Sequence, residues 1–390
     1  MPDFSIPEDH QAIRSAIREL CKDYSDAYWR ELERTKAYPT QFVKAITEAG
    51  WLGALVPTAY GGAGLGLQEA AIILEEVNRA GGNAASAHAQ MYTMGTLLRH
   101  GSEALKQRYL PGIARGDIRL QAFGVTEPNA GSETTRIQTL ARKAGDCYVI
   151  NGQKIWTSRA EYSDLLLLLA RTTPYDEVGP DKTRGLSVFL VDLQQAVARQ
   201  QIEIRPIETM LNHHTTELFI QDLEVPADHL VGTEGSGFRH ILDGMNAERI
   251  LIAAESVGDG RWFVDRASRY ASERVVFGRP IGANQGVQFP IAQAHAQIEA
   301  ADLLRQKAAW LFDTGQRCGA EANMAKMLAS QAAWAAANAC LDTHGGYGFA
   351  VDFDVERKFK ETRLYMTAPV NNNLVLAFVG QNVLGMPRSY

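Results

Sequence analysis

The sequence predicts an α+β fold, mostly α, in three blocks: a helical domain over 1–118, a β domain over 119–230 and a second helical domain over 231–390. Two observations carry this. Apolar residues recur at helical spacing at both ends of the chain, and short apolar runs broken by polar, Gly and Pro segments fill the middle. That block order is not the strand–helix alternation of a doubly wound sheet. A length of 390 residues suits two or three domains.

The elements follow in order. After Pro7-Glu8, Ile13, Ile17, Leu20 and Tyr24 lie on one helical face. Phe42, Ala45 and Ile46 form a second stripe that Gly50 can terminate, and 68–79 forms a third, stopped by Gly81-Gly82. Tyr60-Gly61-Gly62-Ala63-Gly64 reads as a turn. From 118 the run IRLQAFGV is β-rich. CYVI (147–150) fits a short strand between hairpin signals at Gly145-Asp146 and Asn151-Gly152. LLLLLA, LSVFLV and ELFIQDLEV continue as strands, expected to be antiparallel. After Gly232 to Gly237, long Ala- and Leu-rich helices are expected over 238–273, 287–314, 319–343 and 371–384.

Composition narrows the function. Lys plus Arg is 39 and Asp plus Glu is 45, a net charge of −6, which makes nucleic acid an unsuitable partner. No apolar run approaches the ~20 residues of a membrane helix. The opening MPDFSIPEDH lacks the apolar core of a leader, so a cytoplasmic protein is expected. Cys21, Cys147, Cys318 and Cys340 form no CxxC, and no metal site is expected. His213-His214 reads as a loop or strand pair, because chain neighbours point apart. A complete GxGxxG after a strand, GxxxxGK[ST], GxSxG and HExxH are all absent.

Four stretches in order resemble the acyl-CoA dehydrogenase flavoproteins. They are Phe123 to Ser132 (FGVTEPNAGS), Lys154 to Ser158 (KIWTS), Glu273 to Gln285 (ERVVFGRPIGANQ), and His344 to Phe349 (HGGYGF) followed by Glu356 to Tyr365. Tyr60 to Leu65 also fits. The resemblance spans essentially the whole chain. It implies that the middle domain is barrel-like, that the C-terminal helices form a four-helix bundle, and that FAD is the cofactor. By position, Phe123, Val125 and Thr126 would line the isoalloxazine, and Gly131 and Ser132 would approach the pyrophosphate or CoA. Trp156 would cover a flavin face and Ser158 would bond near N5. Arg274, Phe277 and Gln285 would reach the FAD of a neighbouring subunit, which implies a homodimer or homotetramer. Gly345 and Gly346 would close on that cofactor, with Asn371 and Asn373 nearby. Asp342 replaces the family's common Gln, so it would turn away from the diphosphate or find a cation.

The family's reaction takes the α-proton of an acyl-CoA with a carboxylate while hydride leaves the β-carbon. The usual C-terminal Glu position falls on Pro369, within Thr367 to Asn371, where there is no carboxylate and no proline N–H. Either Val370 supplies the missing donor to the thioester oxygen or the site is one hydrogen bond short. A minority of the family carries the base in a Glu-Arg pair on a helix, and Met245-Asn246-Ala247-Glu248-Arg249 matches that pattern. Ile241, Met245, Glu248 and Ile252 share one helical stripe, which would partly desolvate Glu248. Glu248 is therefore either the base or one half of a structural Glu–Arg pair. If it is the base, Met245, Asn246 and Arg249 line the acyl-CoA tunnel, with Ser132 at its mouth.

The resulting expectation is an FAD-dependent acyl-CoA dehydrogenase passing electrons to an electron-transferring flavoprotein. The small Ala368-Pro369 pair suggests a bulky, branched or ring-bearing acyl group. Elimination or oxidase chemistry on the same scaffold, or CoA-ester binding without turnover, remain the alternatives.

Overall fold

The computed structural model describes residues 7–388. The first six residues, part of the stretch read for a leader, lie outside the described residues.

The N-terminal helices are α1 (Glu8–Cys21), α2 (Asp26–Thr35), α3 (Thr40–Glu48), α4 (Leu67–Arg79), α5 (Ala85–His100) and α6 (Glu103–Arg115). The middle segment holds β1 (Ala122–Gly124), β2 (Leu140–Ala144), β3 (Cys147–Ser158), β4 (Leu165–Arg171), β5 (Leu186–Asp192), the short helix α7 (Leu193–Ala198), β6 (Ile202–Pro206), β7 (Thr215–Pro226) and β8 (Leu230–Val231). Beyond it run α8 (Gly237–Glu273), the small hairpin β9 (Val275–Val276) and β10 (Arg279–Pro280), then α9 (Gln285–Asp313), α10 (Gly319–His344), α11 (Val355–Leu364) and α12 (Asn372–Phe378). The fold is thus mostly helical, with a central β segment, as the block pattern implies.

Two compact units cut across the sequence blocks. One comprises the chain up to Phe42, Gly66–Ala84 and the chain from Asn246 onward; the other comprises Val43–Leu65 and Ala85–Met245.

In the β-containing unit the strand path is β6-β7-β3-β2-β4-β5-β8, with β1 alongside β4. Strand β4 shows why LLLLLA is continuously apolar. Leu165, Leu167 and Leu169 join a cluster with Met94, Leu97, Leu110 and Ile113 of α5 and α6. Leu166, Leu168 and Ala170 join a second cluster with Tyr148, Ile150, Leu218 and Ile220. A strand buried on both faces needs no polar alternation.

Three expectations differ in this unit. Most pairings are antiparallel, but β1 runs parallel to β4, and Leu140 of β2 pairs in parallel with Arg171. The run IRLQAFGV yields only the three-residue β1. Asn151-Gly152 is not a turn: β3 continues through it with a register shift against β7. The Asn151 side chain instead bonds across the ladder, accepting from Asp222 N at 2.8 Å and donating to Asp222 Oδ1 at 3.1 Å. Gly152 takes φ 156°, where an added Cβ would lie 2.4 Å from Thr139 Oγ1. The glycine-rich loop at 60–64 is a turn, as expected. It is pinned by the Tyr60 hydroxyl donating to Glu103 Oε1 at 2.7 Å.

In the helical unit, α8 from Asn246 onward, α9 and α10 supply the long helices; the short α11 packs on α10, and α4 packs on α1 and α9. The expected 371–384 helix is α-helical only to Phe378 and continues as a wider π turn over Val379–Val383. The third stripe hides more charge than its pattern suggests. Glu75 and Glu76 of α4 are buried and bond Arg14, Arg18 and Arg261. Asp302 adds contacts to Arg261 at 3.0 Å and Arg305 at 2.6 Å. Buried charges require such partners.

Candidate active site

The β-containing unit presents the Phe123–Ser132 motif as a short strand running into a tethered loop. Phe123 packs edge-on to Tyr92 of α5, with ring centroids 5.7 Å apart. Glu127 and Ala130 bond each other's backbones at 3.2 and 3.0 Å, which closes the loop. A side-chain anchor holds it from beneath. Lys154 is fully buried, and its Nζ donates to Glu127 Oε1 at 2.8 Å and to Val125 O at 3.1 Å. The Glu127 carboxylate also accepts from Gln138 N and Thr139 N at 2.6 and 2.9 Å. Burial pushes the Lys154 ammonium down to about 8, with Glu127 opposing. Burial also acts to raise Glu127, but the Lys154 charge and these donors outweigh it and hold the carboxyl below its ordinary range. Both groups are charged at neutral pH. Sequence reasoning quoted both residues inside their motifs without pairing them, since a 27-residue separation leaves no local signal.

The same anchor sets the second motif. Ile155 N donates to Thr126 O at 2.9 Å, joining the two segments. Between Lys154 and Thr157 the β3–β7 register breaks. There Trp156 adopts the left-handed φ of 61° and leaves its indole 57% exposed. A bulge re-aims a side chain in this way. Ser158 is half-buried, in register with Thr215. The Thr157 hydroxyl is buried with no hydrogen-bond partner among the described residues. Gly131 and Ser132 lie exposed on the loop, and a Cβ on Gly131 would meet nothing within 4 Å. His213 faces Arg159, with Nδ1 and Nη2 3.4 Å apart. Burial and that cation push His213 well below its ordinary value.

The helical unit carries the other predicted residues. Arg274 follows α8, is exposed, and lies over the Tyr347 ring at 5.9 Å. Phe277, at the tip of the β9–β10 hairpin, has φ 52° and is fully exposed. Gln285 opens α9, and Gly345 and Gly346 follow α10; all three are exposed. Asp342 is exposed, and no ion pair to it forms among the described residues. Asn371 caps α12 by accepting from Leu374 N at 3.0 Å, while Asn373 is exposed. Within the β-containing unit, the exposed indole, the orphaned buried hydroxyl and the open glycine loop fit a flat polar ring system.

On α8, Met245 and Asn246 are half-buried. Arg249 is buried, with Nη1 donating to Asn246 Oδ1 at 3.0 Å. Glu248 is half-buried and lies within electrostatic range of Arg249 and of Lys326 on α10. Burial pushes the Arg249 guanidinium down, and Glu248 opposes that shift. Lys326 is fully buried; it was not a sequence candidate, because its neighbours come from distant segments. The 366–373 stretch holds no carboxylate.

Models for the acyl-CoA dehydrogenase N-terminal, middle and C-terminal domains match residues 7–117, 122–223 and 235–384. Acyl-CoA dehydrogenase fadE12 of Mycobacterium bovis is 34% identical, with 99% of both chains covered. Cyclohex-1-ene-1-carbonyl-CoA dehydrogenase of Syntrophus aciditrophicus is 31% identical over 97% of this chain and 91% of that one. A solved glutaryl-coenzyme A dehydrogenase in complex with glutaryl-CoA matches at TM-score 0.90 and 29% identity, covering 100% of this chain and 98% of that one.

Proposed function

The chain belongs to the acyl-CoA dehydrogenase family and is an oxidoreductase with FAD as its cofactor, and we propose that Glu248 is the base that takes the α-proton of its acyl-CoA substrate. The observation that carries this reading is the placement of Glu248. It is a half-buried carboxylate on α8 within electrostatic range of two buried cations, Arg249 and Lys326, in a chain with no carboxylate over 366–373. Positive neighbours favour the ionised form, and an ionised carboxylate is what a proton acceptor must be. Bound FAD supplies the two-electron sink that receives the β-hydrogen as hydride.

The chain's own residues do the rest. Phe123, Val125, Thr126, Trp156 and Ser158 bind and orient the ring system, and the Lys154–Glu127 pair fixes the segment that carries them. Gly131 and Ser132, exposed on that loop, would approach the phosphates. Arg274, Phe277, Gln285, Gly345 and Gly346 would serve the cofactor of a second copy. The exposed Val275, Val276, Phe277, Phe289, Leu303 and Trp310 of the helical unit support a homodimer or homotetramer. We assign the electrons to an electron-transferring flavoprotein; a structure titled for that protein of Acidaminococcus fermentans contains a chain matching this one at TM-score 0.92 and 29% identity. The cyclohexene-carbonyl relative supports a ring-bearing or branched acyl group.

An anaerobic titration with straight-chain, branched and ring-bearing acyl-CoA thioesters tests this. Bleaching of the flavin with release of enoyl-CoA is expected, fastest for the bulky members. If no member of a broad panel bleaches the flavin, the reading fails.

A further inference from the structure

Lysine is almost never fully buried without a counter-charge in contact. Lys326 of α10 is fully buried, yet its Nζ donates to two neutral acceptors, Val370 O at 2.6 Å and Asn372 Oδ1 at 2.9 Å. Asn372 is itself held, donating from Nδ2 to Ser330 Oγ at 3.2 Å, while its backbone N–H reaches Met366 O at 3.3 Å. The ammonium therefore ties residues 370 and 372 to α10, and the Asn372–Ser330 bond adds a second tie one turn further along that helix. A second buried cation, Arg249, shares the neighbourhood, and its Nε has no partner among the described residues. Two buried cations with neutral contacts need an anion. Glu248 is the acid whose field reaches both of them.

We propose that Lys326 is a positioning residue for proton abstraction, clamping the 370–372 segment and supplying the positive field that favours the carboxylate form of Glu248. This rests on the assignment of Glu248 as the base. Lys326 takes no proton from the substrate and touches no reacting carbon; it acts through Glu248 and through the segment it holds. Burial brings its ammonium down to about 8, which leaves it protonated at neutral pH, so the field is present where the enzyme works. The charged groups in range of Nζ are Glu248 and Arg249 of α8. The 366–378 stretch carries no ionisable side chain, and Cys318, before α10, is in range of Arg249.

The test follows flavin reduction in the anaerobic holoenzyme against pH, using whichever thioester of the panel reduces it fastest. Lys326→Met deletes the charge. Asn372→Asp keeps an acceptor for Nζ but adds an anion that cancels its field. In both, the acid limb of the rate should move up by about half a pH unit or more, because losing a cation or gaining an anion nearby raises a carboxyl pKa. A purely structural role would lower the rate or the FAD content evenly with pH and leave the limb in place; an unmoved limb overturns the proposal. Should Lys326→Met give no folded holoenzyme, Asn372→Asp decides alone. Glu248→Gln run in parallel separates the two failures. If it abolishes flavin reduction while the limb stays fixed in the other variants, only the role of Lys326 is wrong. If it stays active, the base assignment falls, and the role of Lys326 with it.

Discussion

Lys154→Met is expected to damage both stability and cofactor retention, and the structure sets the size. The substitution keeps the side-chain volume but removes the ammonium that bonds Glu127 at 2.8 Å, in a pair with side-chain exposures of 0% and 8%. Breaking a buried ion pair from one side typically costs ~3–5 kcal/mol, because the other charge stays behind. Glu127 retains two backbone donors, Gln138 N and Thr139 N, which places the cost near the lower end. The Val125 carbonyl also loses its donor, worth about 1 kcal/mol. The total is about 3–4 kcal/mol. At ~2–4 °C per kcal/mol for a unit of this size, melting should fall by roughly 10 °C. The deficit should depend on pH. The native Glu127 carboxyl is depressed, so its contribution is present above the unfolded value of 4.5 and lost as pH falls through the native one. The gap between wild type and variant should therefore narrow in acid. Thermal melting with flavin fluorescence reads stability and FAD release together. A variant melting within about 2 °C of wild type with full FAD occupancy would refute the claim that this pair holds the cofactor loop.

Three further outcomes are expected. Gly152→Ala should destabilise the β unit by ~1–3 kcal/mol, since its Cβ would meet the Thr139 side chain and Cα at 2.4–2.7 Å; an unchanged melting curve would contradict this. Arg274→Ala should weaken FAD retention, through loss of a charge-assisted contact to the diphosphate; full occupancy after gel filtration would show that this residue's role does not carry over. Asp302→Asn should cost about 2 kcal/mol at neutral pH, because Arg305 and Arg261 outweigh burial and hold that carboxyl at about 2 against an ordinary 3.8. The contribution is present above 3.8 and lost as pH falls through 2, so the difference in melting should shrink toward acid; a constant gap would sink the argument.

Much of the fold was legible because helical and strand periodicities differ and change sharply near 119 and 237. What was hidden depends on contacts between distant segments. Asn151-Gly152 carries a strong turn signal, yet pairing with Asp222 and close packing on Thr139 keep the strand running. The parallel pairing of β1 with β4 has no local mark. Glu75 and Glu76 read as the polar side of a helix, but arginines from α1, α8 and α9 let that side be buried. The site shows the same division. Trp156, Phe277 and Arg274 are singled out by motif order alone, and each is exposed in its own unit. The Lys154–Glu127 anchor and the buried Lys326 could not be read, since a lysine in a sequence is by default a solvated charge. Asn371, expected near the cofactor, also has a local task as the cap of α12.

The central claim is that Glu248 accepts the α-proton, and single-turnover flavin reduction in Glu248→Gln tests it most directly. Gln keeps the shape on α8, so fold, FAD content and acyl-CoA binding should survive, while the rate of flavin reduction should fall by ~10²–10⁴. Reduction at a near wild-type rate would contradict the claim, and would mean that the proton leaves by another group or that the flavin performs a different reaction here.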